Sequence, residues 1–98
     1  MSLTENQKRQ LRKLGHTLKP VVMIGGNGLT DNVNNEIDLS LDHHELIKIK
    51  VSVGDRDARD EMISSLCNTN KAELVQRIGN IALVFRRNPQ KPKVHLEK

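Results

Sequence analysis

Residues 21–33 read VVMIGGNGLTDNV, an apolar run that breaks at Gly25, Gly26 and Gly28 and resumes as a polar segment. The stretch reads as a hairpin turn, as a phosphate cradle feeding a helix, or as a plain connector, and these lead to different folds. Asn27-Gly28 could be the turn of a hairpin, which requires a second strand after it. The following residues, LTDNVNNEIDLSL, are rich in Asn and Asp, which are poor strand formers. They also place Leu29, Val33, Ile37 and Leu41 at helical spacing, with Thr30 positioned to cap. The segment is therefore strand, glycine loop, helix. A P-loop would continue into a lysine, and none follows. A dinucleotide fingerprint would need a third glycine where Asp31 stands, in a chain longer than these 98 residues. What is left is a Gly25-x-x-Gly28 turn opening onto a helix N-terminus.

Such a turn has a definite chemistry. Glycines let the backbone approach a ligand closely, and the helix start adds free N–H groups with partial positive charge. The combination suits a phosphate backbone, as in the GXXG loop of the KH module. Asp31 works against it, because its carboxylate favours the helix dipole and repels phosphate.

The remaining elements read outward from this turn. Residues 4–18 form a helix capped by Thr4, with Gln7, Leu11, Leu14 and Leu18 on one stripe, ended by Pro20. Residues 21–24 are a short buried strand, and residues 30–43 are the second helix. In 46–53, Ile47, Ile49, Val51 and Val53 share one face while Lys48, Lys50 and Ser52 share the other, the pattern of a half-buried strand. Gly54 breaks it and Asp55 caps a third helix over about 55–68. Two strands, 74–78 and 81–87, are joined by Gly79-Asn80, and the apolar IALVF run marks a central strand. The order α-β-α-β-α-β-β predicts an α/β domain with parallel pairing through crossovers and one antiparallel strand from the closing hairpin. The domain is expected over 1–88, followed by a basic, loose tail over 89–98.

Composition narrows the function. The net charge is +4, but residues 1–28 carry +4, residues 29–70 carry −5 and residues 71–98 carry +5. If the two ends meet in space they build a basic face suited to a polyanion. Lys8, Arg9, Arg12, Lys13 and Lys19 are the leading basic candidates, against the plain alternative of a solvated helix face. Lys48 joins them, whereas Lys50 reads as an exposed sheet position; Arg86 and Arg87 stay open. Phe85 is the one aromatic, too little for the stacking platform of an RRM or OB fold. If the polyanion is RNA, binding should therefore favour backbone and shape over splayed single strands. Cys67 is the one cysteine and sits on an apolar helix face, which reads as core. His16, His43, His44 and His95 show no metal-ligand spacing, and His43 and His44 fit a helix C-terminus. The start lacks a signal-peptide pattern and no apolar run reaches membrane-spanning length, so a soluble, cytoplasmic protein is expected.

Three segments together, RKLGHTLKPVVMIGGNGLTDNV (12–33), HHELIKIKV (43–51) and VQRIGNIALVFRR (75–87), resemble the CRM domain, named for chloroplast RNA splicing and ribosome maturation, in its stand-alone bacterial YhbY-type form. The resemblance runs from the first helix through Arg87. It implies a two-layer sandwich with a four-stranded mixed sheet, similar to the C-terminal domain of translation initiation factor 3. It also implies RNA as partner, specifically rRNA of the precursor large ribosomal subunit, and a role in ribosome assembly. No enzymatic activity, catalytic residue, cofactor, metal, membrane or small-molecule substrate is implied. By position, Gly25, Gly26, Asn27 and Gly28 become the backbone cradle for RNA. His16, Leu18, Lys19 and Pro20 match the motif leading into the first strand, and Lys48 matches the lysine of H-E-L-I-K. Many members carry a basic residue where this chain has Gly26, and a tyrosine where it has Phe85. A small nucleotide-binding protein and a protein-interaction adaptor using the acidic middle are the rival readings.

Overall fold

The computed structural model describes residues 3–97; Met1, Ser2 and Lys98, the outermost residues of the expected domain and tail, lie outside the described residues. The elements follow the expected order: α1 (Glu5–Gly15), β1 (Pro20–Ile24), α2 (Asp31–His44), β2 (Leu46–Val51), α3 (Arg56–Asn70), β3 (Glu73–Ile78) and β4 (Ile81–Phe85). Each helix starts at a side-chain cap. Thr4 Oγ1 accepts from the Gln7 amide at 3.1 Å while Gln7 Oε1 accepts from the Thr4 amide at 3.0 Å. Thr30 and Asp55 do the same for Val33 and Ala58 at 3.2 and 2.9 Å. Each cap satisfies an otherwise orphaned donor and is worth about 1 kcal/mol.

The sheet order is β1-β2-β4-β3. β1 and β2 run parallel, joined by α2, and β4 is antiparallel to both of its neighbours. The IALVF run is thus central, as its unbroken apolarity requires, and the hairpin turns at Gly79 with φ 58°. Alternation sorts the strand residues onto two faces. Ile47, Ile49, Val51, Ala82 and Val84 pack with Ile37 and Leu41 of α2 and Ile63 and Leu66 of α3. Leu46, Leu83 and Phe85 point the other way and pack with Leu11 of α1. To the expected two layers the structure therefore adds α1 on the opposite face of the sheet. Gly15 allows its close approach, since a Cβ there would lie 2.6 Å from Leu83 Cδ2.

Several expectations are corrected. α1 stops at Gly15, and the Leu18 amide donates to the Gly15 carbonyl at 3.0 Å as the chain turns toward β1. Leu14 and Leu18 are consequently not core; they are 48% and 37% exposed. β1 is an edge strand, not a buried one: Val22 and Ile24 are covered by helices while Val21 and Met23 lie open. The tail has no regular secondary structure but makes specific contacts. Val94 and Leu96 pack against the Leu11 cluster, and Gln10 exchanges two hydrogen bonds with the Glu97 backbone at 2.8 and 3.0 Å.

Candidate nucleic-acid interface

β1 delivers the glycine turn to the carboxyl end of the parallel strand pair. Ile24 pairs with Val51, and the Ser52 amide donates to the Ile24 carbonyl at 2.9 Å. Gly25 and Gly28 close a tight turn, the Gly28 amide donating to the Gly25 carbonyl at 3.0 Å. Leu29 then packs on the core and Thr30 caps α2, so the turn is anchored on both sides. Among the described residues, no backbone acceptor is found for the amides of Gly26 and Asn27; at the start of α2 the Val33 amide is taken by Thr30 Oγ1, which leaves those of Asp31 and Asn32 without an intrahelical partner. Gly25, Gly26 and Asn27 are exposed. A Cβ at Gly25 or Gly26 would meet nothing within 4 Å, whereas Gly28 sits at φ 71° with the Met62 methyl 3.7 Å from its Cβ position. The turn is thus a shelf of bare backbone facing outward, and only Gly28 is demanded by its own conformation.

The basic candidates divide. Arg12, Lys19 and Lys48 belong to the α1 side of the sheet, where Arg12, His16 and Lys48 line one depression and Lys19 and Lys48 line another. Arg9 and Lys13 are exposed along α1. Lys8 stands toward the opposite end, 4.0 Å from Glu73 at the start of β3. Lys50 pairs with Met23, nearer to the turn than Lys48, and the sequence reading passed over it. The signal for it was available: it alternates with Lys48 on the face that α1 leaves partly open. Arg59 is a second omission. Its guanidinium donates to the Gly54 carbonyl at 3.1 Å, one helical turn before Met62, whose methyl faces the Cβ position of Gly28. Asp31 is exposed in the first turn of α2, where the sequence placed it.

Arg86 and Arg87 are committed internally. Arg86 binds the Asp38 and Asp42 carboxylates at 2.7 and 2.8 Å and the Asn70 carbonyl at 3.0 Å, tying the end of β4 to α2 and α3. Arg87 lies 5.3 Å over the Phe85 ring and donates to Glu45 and to the Val94 carbonyl. Glu45 is a third residue that sequence reasoning missed. It caps α2 at φ 61° and is fully buried. Its carboxylate accepts from the amides of Asn88, Lys93 and Val94 at 2.6, 2.7 and 2.8 Å. Burial, the strongest single influence, raises its pKa, but those amides and Arg87 together bring it below the usual carboxylate range. This anion holds the tail against the α1 side of the molecule. The two basic ends of the chain therefore do meet, through α1 and the tail.

Cys67 packs against the main core, where burial and then Glu73 push its thiol up to about 11, so it is neutral filler and not a nucleophile. Among the described residues, no three of His, Cys, Asp and Glu cluster as metal ligands would, and no helix is long and apolar enough to cross a membrane.

Comparison with known proteins agrees with this architecture. The model of the CRS1/YhbY (CRM) domain matches residues 3–86. A Pseudomonas aeruginosa protein named probable RNA-binding protein PA4753 is 46% identical over 90 residues, spanning 92% of this chain and 86% of its own length. A Haemophilus influenzae protein named RNA-binding protein is 47% identical over 85 residues, spanning 87% and 86%. The solution structure of the hypothetical protein SAV1595 from Staphylococcus aureus superposes with a TM-score of 0.83 at 34% identity, covering 98% of this chain and all of that one. From helix 1 to the end of the last strand, in sequence and in fold, this chain belongs to the CRS1/YhbY (CRM) domain family.

Proposed function

We propose that this chain is an RNA-binding protein without enzymatic activity, acting in the cytoplasm on rRNA of the precursor large ribosomal subunit during its assembly. The observation that carries the reading is the exposed 25–28 turn, with its open amides, at the end of a parallel strand pair whose α1 side carries Lys50 near the turn and Lys48, Arg12 and Lys19 farther along. The names of the Pseudomonas and Haemophilus relatives support RNA as the partner. In this mechanism the Gly26 and Asn27 amides donate to phosphodiester oxygens, and the lysines and Arg12 neutralise neighbouring phosphates. Asp31 directs the phosphate toward the turn and away from the axis of α2.

The test is a filter-binding titration against fragments of large-subunit rRNA at two salt concentrations. Displacement of about four counterions would give a slope near −3 to −4 in log K against log salt. No binding, or binding indifferent to salt, would contradict the reading. ATP, GTP and dinucleotides should leave the melting temperature unchanged; a rise with any of them would favour a nucleotide-binding role.

A further inference from the structure

One cavity is left unexplained by the glycine turn. It has a volume of about 580 Å³ and lies between the end of α1, the edge strand β1 and the tail. Leu14, Leu18 and Val21 form its walls, three apolar side chains held open to water. Lys19, Lys48 and Lys93 surround them, the imidazoles of His44 and His95 add two flat rings, and no carboxylate lines the space. The tail wall is placed by design of the fold: Glu45 accepts the amides of Lys93 and Val94, which sets the Lys93 and His95 side chains at the rim. Lys48 also lines the neighbouring depression with Arg12 and His16, again with no carboxylate. A cationic path therefore leaves the cavity and continues along the open sheet face.

We infer that this cavity receives one unpaired RNA base, with the phosphates on either side held by Lys19, Lys48 and Lys93. The inference rests on the RNA-binding reading and adds to it a subsite for a base and a role for the tail. The volume is in the range of small-ligand sites. Aliphatic walls and imidazole faces accept a base without an aromatic platform, and a single pocket suits a chain that cannot stack a run of bases. A polymer with an anion at every residue matches cations that extend past the cavity. An acidic peptide needs cations only where its carboxylates fall, and would leave the second depression unused.

The probes are two RNA hairpins of the same stem, one fully paired and one with a single bulged 2-aminopurine. Both are titrated by anisotropy at one salt concentration. The bulged hairpin should bind at least about fivefold more tightly, with a change in 2-aminopurine emission. Leu18→Ser, at an exposed position and without a change of charge, should abolish that preference while keeping the affinity for the paired hairpin. Lys93→Gln should reduce the preference. Equal binding of the two hairpins, or a preference intact in Leu18→Ser, overturns the base pocket and leaves the RNA-binding reading standing. Binding of neither hairpin overturns both. Methyl shifts at Leu14, Leu18 and Val21 produced by a Leu- and Glu-rich peptide but not by the bulged hairpin would assign the cavity to a protein partner and overturn the inference.

Discussion

Gly25, Gly26 and Gly28 share one motif but not one constraint. At Gly28 the backbone lies at φ 71°, so Gly28→Ala should cost about 1 kcal/mol in urea unfolding, whereas Gly26→Ala should cost little because its Cβ enters open space. Asp31 separates helix stability from binding. Asp31→Asn removes a favourable charge from the first turn of α2 and a repulsive one from beside the turn, so RNA affinity should rise roughly twofold while the melting temperature falls slightly. Glu45 governs the tail. Because its folded-state pKa lies below the unfolded value, its stabilisation is complete above the ordinary carboxylate range and is lost as pH falls through the lower, folded value. Amides of Lys93 and Val94 should therefore lose hydrogen-exchange protection only in acid, at a pH below the ordinary carboxylate range. Glu45→Gln should weaken their protection already at neutral pH and lower the melting temperature, because the charge that three amides and the partly exposed Arg87 hold is lost. The glutamate of H-E-L-I-K was visible in the sequence, but its partners at 88–94 were not. They lie more than forty positions away, and nothing local announces that a carboxylate after a helix will be buried.

At the level of elements, spacing and caps were legible because they are local. Thr4, Thr30 and Asp55 cap as expected, and Ile47, Ile49 and Val51 share the covered face. Periodicity shows which residues share a side, not what covers that side. Hence Leu14 and Leu18 shared a stripe with Leu11 in the sequence but lie open at and beyond the end of α1, and β1 was read as buried though it is an edge strand. The contact between α1 and the sheet was equally hidden, since Gly15 carries no apolar signal. Gly15→Ala should displace α1 from Leu83 and cost about 1–3 kcal/mol, read as a lower melting temperature, because a Cβ 2.6 Å from Leu83 Cδ2 requires that side chain or the helix to move.

Over the whole molecule, the charge of the chain is arranged by its topology. The basic first and last thirds come together through Gln10 and Glu97 and through Leu11, Val94 and Leu96, while α2 and the start of α3 carry the acidic middle. This separation gives a field that would orient a polyanion toward one side. The central claim is that the bare amides of the 25–28 turn grip the RNA backbone. Gly25→Asp and Gly26→Asp test it most directly, because both positions are open and neither requires a glycine conformation. Measured together, the affinity for a large-subunit rRNA fragment should fall by about tenfold or more while the melting temperature stays within about 2 °C of the wild type. Unchanged affinity in both variants would contradict the claim.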